Sequence, residues 1–135
     1  MYLCTLNCAK RDNMAEKSIG DTIRDASEAI RGLLRGIALS KARSVVEKCS
    51  NFKIGKTGET LEERFAQPDY YGVYQHIDTL YSSVFQVDVD DMERDLLLKY
   101  ITHPKCDNMK DGLTSHSDTM RDGAEKYQVY IVWND

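Results

Sequence analysis

Proline occurs twice and tryptophan once in this chain of 135 residues, and its eight glycines form no repeat. Such a composition excludes collagen-like and Pro/Gly-rich low-complexity classes. None of the four cysteines, Cys4, Cys8, Cys49 and Cys106, belongs to a Cys-x-x-Cys pair. Cys4-x-x-x-Cys8 and His103-Pro-Lys-Cys106 lack the tight paired spacing of structural zinc sites, so reduced, partly buried thiols are the better reading. No apolar run approaches the roughly 20 residues of a membrane-spanning helix, and the N-terminus lacks a signal-peptide pattern. An intracellular, cytoplasmic protein with no membrane partner is therefore expected.

Excess positive charge is missing too, since the formal net charge is -4. A strongly basic nucleic-acid binder would look different. The charge is uneven, however. Residues 1–51 carry nine Lys+Arg against six Asp+Glu, and residues 52–135 carry nine against sixteen. Any contact with a nucleic-acid backbone is thus expected from a local patch, with the first third as the better place for it.

The length predicts one domain over 1–135, large enough to bury a core without staples. Residues 1–7 read as a strand and 8–17 as a polar loop. Over 18–48 the pattern is helical. Ile19, Ile23, Ala26, Ile30, Leu33 and Ile37 step by four and three, which puts them in one apolar stripe. Core packing is the first reading of that stripe, and a homodimer seam through 19–37 is the second. Ser18 or Asp21 is expected to cap the helix, and Gly36 is a point where it could divide. Arg24, Arg31 and Arg35 share another face with Glu28. They are candidate phosphate-backbone contacts, or else the wet side of an amphipathic helix with internal ion pairs.

Phe52-Lys53-Ile54-Gly55-Lys56-Thr57 alternates as a half-buried strand does. Gly55 and Gly58 are read as turn residues that supply positive φ angles. Thr60-Leu61-Glu62-Glu63 fits a capping box opening a helix that carries Arg64 and ends by Gln67-Pro68. Lys53 and Arg64, aimed at one cleft, would suit an anionic ligand such as phosphate. Asp69 to Tyr74 is an aromatic loop whose tyrosines either stack on bases or pack on the core. Residues 77–87 read as a strand with a bulge near Ser82-Ser83. A helix capped by Asp88 or Asp90 then runs to about Ile101. On it, Glu93 lies beside Leu96 and Leu97, where an idle carboxylate is costly without a partner or a metal. Residues 105–125 read as a long loop, and 127–133 as a closing strand.

The order Lys-Ile-Gly on a strand, Arg64 nine residues after the glycine, and Glu93 on a later helix resembles the GIY-YIG nuclease superfamily. Within it, Phe52 to Thr57 is most similar to the branch with lysine in place of the second-motif tyrosine. The resemblance covers residues 52–101 and, loosely, 1–7. It implies an α+β fold: a small, mainly antiparallel sheet of about three strands flanked by helices, with a helical insertion at 18–50 between the first two strands. It implies an endonuclease that hydrolyses phosphodiester bonds in DNA with Mg2+ or Mn2+. Glu93 would be the metal ligand and Arg64 the residue that stabilises charge on the phosphate. Lys53 would orient the nucleophilic water or tune a neighbouring tyrosine, and Lys56 would lie near the scissile phosphate. No Gly-Ile-Tyr exists in the chain, and Tyr2 is the positional match for that motif's tyrosine, acting with Lys53 from an adjacent strand. Asn108 and Asn134 are candidates for the family's late asparagine. The alternative is a catalytically inactive module of the same fold that binds nucleic acid or protein.

Overall fold

The structure, a computed structural model, describes residues 18–111, 120 and 122–135. The chain divides into two compact units, residues 1–34 and 35–135. The described part of the first unit is the opening half of helix α1 (Ile19–Lys48). Ser18 caps it, its Oγ accepting from the Asp21 amide at 3.1 Å. Gly36 does not divide it: the helix is continuous for 30 residues. The first reading of the apolar stripe is overturned as well. Ile19, Ile23, Ile30, Leu33 and Ile37 are all exposed, and the buried residues of α1 are Ala38, Ala42 and Val46. The stripe is therefore not part of the core.

In the second unit, three strands form one antiparallel sheet: β1 (Asn51–Thr57), β2 (His76–Ser83) and β3 (Tyr127–Asn134), in the order β1-β3-β2. The short helix α2 (Leu61–Phe65) joins β1 to β2, and α3 (Gln86–Tyr100) follows β2. The fold is α+β, with about three antiparallel strands flanked by helices, as expected. The expected strand at 1–7 lies outside the described residues. The segment at 18–50 is helical and precedes the first described strand, and the helix between the first two described strands is α2.

Alternation along the strands sends successive side chains to opposite faces. Phe52 and Ile54 of β1 join Val129 and Ile131 of β3 on one face. They meet Val89, Met92, Leu96 and Tyr100 of α3 and Ala38, Ala42 and Val46 of α1. Tyr130 and Val132 point to the other face, where they pack with Tyr70, Tyr74, Leu61, Phe65 and Ile77. β3, central and paired on both sides, is buried along its first six residues. The edge of β1 away from β3 is covered by residues 105–108. Phe52 N donates to the Lys105 carbonyl at 3.0 Å, and Asp107 N donates to the Phe52 carbonyl at 2.8 Å. Asn108 continues this pairing with its side chain, accepting from Ile54 N and donating to the Ile54 carbonyl. The edge that would otherwise template another strand is thereby satisfied.

Several sequence expectations change. The strand at 77–87 ends at Ser83, and Gln86 and Val87 belong to α3. Val84, Phe85 and Val87 looked strand-like because they are apolar, yet all three are exposed. Neither Asp88 nor Asp90 caps α3, because Phe85 is the N-cap residue. The turn is held by Ser83 instead, whose Oγ accepts from Phe85 N and donates to Asp88. The irregularity in β2 falls between Thr79 and Tyr81, slightly earlier than Ser82. Within the expected loop at 105–125, Asn108–Asp111 form a 3-10 turn. Gly55 and Gly58 do not have positive φ; among the described residues Gly72 and Gly123 do. Gly55 lies within β1, directly opposite Tyr130. A Cβ there would overlap the Tyr130 ring, with Cζ at 2.6 Å. Glycine is required at this position by a close approach, not by a turn.

Candidate functional site

β1 is an edge strand, so side chains from both of its faces reach the space beside it. Lys53 and Gly55 come from one face, Ile54 and Lys56 from the other. A cavity of about 120 Å³ lies there, lined by these four residues with Arg64, Asp69, Tyr70, Glu93, Asn108 and Tyr130. Four of the five residues expected to be catalytic, Lys53, Lys56, Arg64 and Glu93, therefore line one pocket. The fifth, Tyr2, lies outside the described residues.

Arg64 is delivered by α2. Thr60 starts that helix as expected, its Oγ1 accepting from Glu63 N at 3.2 Å. One turn later Arg64 turns inward and is about three-quarters buried. Its Nε donates to the Tyr130 hydroxyl at 3.0 Å. Its two terminal nitrogens donate to the two carboxylate oxygens of Asp69 at 3.2 and 3.0 Å. The guanidinium also lies over the Tyr70 ring, 4.3 Å from its centroid, and Lys53 Nζ is 5.5 Å from the same centroid. Two cations thus lie against one aromatic ring, an arrangement that holds both near the pocket. Burial would lower the Arg64 pKa, but Tyr130 and Asp69 outweigh it and keep the group charged.

The sequence pattern did not point to Tyr130 as a site residue, and it marked Tyr70 only as one of the loop tyrosines that stack on bases or pack on the core. Tyr130 was visible as a member of the closing strand, but its partner across the sheet, Gly55, is 75 positions away in the chain. The two phenol oxygens are 2.7 Å apart, one donating to the other. Burial and the neighbouring Tyr70 push the Tyr130 pKa well above its ordinary value, against the pull of Arg64. Tyr130 is therefore a neutral phenol at physiological pH. It can donate and accept a hydrogen bond, but it does not supply a phenolate.

On the opposite wall, Lys56 donates to Asp90 at 2.8 Å and stands 3.7 Å from Glu93 Oε1. Burial would lower the Lys56 pKa, but the Asp90 hydrogen bond and the Glu93 charge raise it on balance. Glu93 is 8% exposed. Its burial, with a smaller push from Asp90, raises its carboxyl to about 7 in spite of Lys56. The other buried carboxylate among the described residues is held differently: Asp107 accepts from Asn51 at 2.6 Å and from Tyr74 at 2.8 Å. By comparison Glu93 is under-satisfied. A buried carboxylate facing a cavity, with a lysine at 3.7 Å as its one ion pair among the described residues, is a candidate ligand for a hard cation, although no group of three or more His, Cys, Asp or Glu side chains gathers there among the described residues.

The remaining candidates divide between the pocket and the rest of the surface. Asn134 donates to the Val73 carbonyl and accepts from Gln75 N, and does not line the pocket. Asn108 does line it, with its amide engaged on Ile54. Arg24 pairs with Asp21 on its own helix at 3.7 Å, and Arg35 is ion-paired with Asp95 of α3. Arg24 thus fits the wet side of the helix, whereas Arg35, half-buried, is tied to another helix. Cys49 and Cys106 are buried free thiols. Among the described residues, no helix is long and apolar enough to cross a membrane. No protein-family model, curated protein or solved structure matches the chain.

Proposed function

We propose that this protein is a metal-dependent endonuclease of the GIY-YIG type that hydrolyses phosphodiester bonds in DNA. The observation that carries this reading is the shared pocket: Lys53, Lys56, Arg64 and Glu93, on three separate elements, line one cavity. Their chemistry suits a phosphodiester. Arg64 offers a planar two-pronged donor, and Lys53 a second cation, to the non-bridging oxygens. The Asp69 carboxylate now on that fork is a planar anion of the kind a phosphate would replace. Tyr130 stands on β3, the strand paired with β1, and adds a phenol to the pocket. As a neutral phenol bonded to Arg64 and Tyr70, it orients the guanidinium and a water rather than deprotonating one.

Glu93 would hold Mg2+ or Mn2+, which when bound supplies charge neutralisation at the phosphate and lowers the pKa of a ligated water. Lys56, bonded to Asp90 and 3.7 Å from Glu93, offers an ammonium on the Glu93 side of the pocket.

The test is cleavage of plasmid and oligonucleotide DNA with Mg2+ or Mn2+. The full chain should cut, and Arg64→Ala should lose activity by about a hundredfold or more. Absence of cleavage of DNA and RNA under every divalent metal would overturn the reading. A second reading is a binding module of the same fold that lacks the chemistry. It is favoured by the carboxylates already bonded to Arg64 and Lys56. That reading predicts nucleic-acid or protein binding that Glu93→Ala leaves unchanged.

A further inference from the structure

The exposed stripe on α1 has a pattern that a solvent-facing surface does not need. Ile19, Ile23, Ala26, Ile30, Leu33 and Ile37 alternate steps of four and three, the 3.5-residue repeat of a coiled-coil seam. In heptad terms Ile23, Ile30 and Ile37 are a residues, and Ile19, Ala26 and Leu33 are d residues. Exposure of the larger ones runs from 46% at Ile37 to 80% at Ile19. The stripe does not extend the face that α1 buries in the second unit. Ala38, Ala42 and Val46 occupy the b, f and c positions, turned away from the seam.

Charge is distributed just as selectively. Residues 19–37 contain six charged side chains, Asp21, Arg24, Asp25, Glu28, Arg31 and Arg35. Every one falls at b, c or f. The e and g positions that flank the seam are Gly20, Thr22, Ser27, Ala29, Leu34 and Gly36, all uncharged. Charged e and g residues select an unlike partner or an orientation. Here the flanks bring no like-charge repulsion between identical copies, and their small residues permit close approach. β-Branched isoleucine fills all three a positions, the residue choice of two-stranded parallel coiled coils, and Leu33 is the one leucine at d.

We propose that α1 is a self-association element: two copies of this chain pair in parallel through residues 19–37. The inference does not depend on the nuclease reading. The seam is about 28 Å long, under three heptads, so the dimer is concentration-dependent and not obligate.

Sedimentation of the full chain from low to several hundred micromolar tests this. The expected result is a monomer–dimer equilibrium that Ile30→Asp weakens at least about tenfold. Ile30 is 59% exposed in the single chain, so the thermal transition of dilute protein should not move. Orientation is read by cross-linking in a Cys4→Ser, Cys8→Ser background. Ile37→Cys should form a disulfide-linked dimer with itself. A mixture of Ile37→Cys with Ile19→Cys should give no cross-linked pair between the two variants. A monomer at every concentration, a dimer indifferent to Ile30→Asp, or efficient Ile19→Cys to Ile37→Cys cross-linking would each overturn the proposal.

Discussion

α1 and α3 are both amphipathic helices, and they use their apolar faces in opposite ways. α3 buries Val89, Met92, Leu96 and Tyr100, and with them the carboxylate of Glu93. Over residues 19–37, α1 leaves its isoleucines in solvent while its buried contacts come from alanines and a valine further along. The α3 face carries a charge where burial penalises it, and the α1 face carries apolar groups where exposure penalises them. Helical spacing reports which side chains share a face. Whether that face is covered is decided by residues far away in the chain. Both departures from the simple inside-outside rule coincide with a proposed function: Glu93 with the pocket, and the isoleucine stripe with a partner.

The contrast can be measured. Leu96→Ala removes a fully buried side chain and should cost about 2–5 kcal/mol by chemical denaturation. If it costs little, the α3 face is not the core. Glu93→Gln should act in the other direction. The unfolded carboxyl ionises near 4.5 and the folded one near 7, so the folded state binds more protons between those values. Stability contributed by the protonated group is present below pH 4.5, falls as pH rises to about 7, and is flat above. Glu93→Gln avoids that loss and should be more stable than the parent at pH 8 by up to about 3 kcal/mol, with little difference at pH 4. A destabilised variant at pH 8 would mean that Glu93 holds the fold together.

Gly55→Ala comes next. Its Cβ would collide with a Tyr130 ring that is 1% exposed, and overpacking of this kind costs about 1–3 kcal/mol. A neutral result would mean that Tyr130 is free to move out of the pocket. Ile30→Ala in dilute protein should have the smallest effect, within about 0.5 kcal/mol, as expected of an exposed position. A larger loss there would remove the contrast between the helices.

Much of the site was legible before the structure. The β1 alternation, the Thr60 cap and the cost of placing Glu93 beside Leu96 and Leu97 are local facts, written within a few residues. They pointed to Lys53, Arg64 and Glu93, whereas Lys56 and the fold class came only from the resemblance to the GIY-YIG superfamily. Long-range register was not legible. Nothing near Gly55 says that a tyrosine 75 positions later will cover it, so the glycine read as a turn residue. Tyr130 read as one member of an alternating strand for the same reason. The start of α3 was misread because Val84, Phe85 and Val87 are apolar but exposed, and apolar residues carry the strand signal whether or not they are buried. The isoleucine stripe was misassigned to the core by the same logic.

The central claim is that Glu93 is retained in the pocket for chemistry and not for stability. The direct measurement is Mg2+-dependent DNA cleavage by the parent and by Glu93→Gln at pH 8, with each variant's unfolding free energy determined in the same buffer. Glu93→Gln should lose cleavage by about a thousandfold or more while becoming more stable. Cleavage that survives in a well-folded Glu93→Gln protein would contradict that claim.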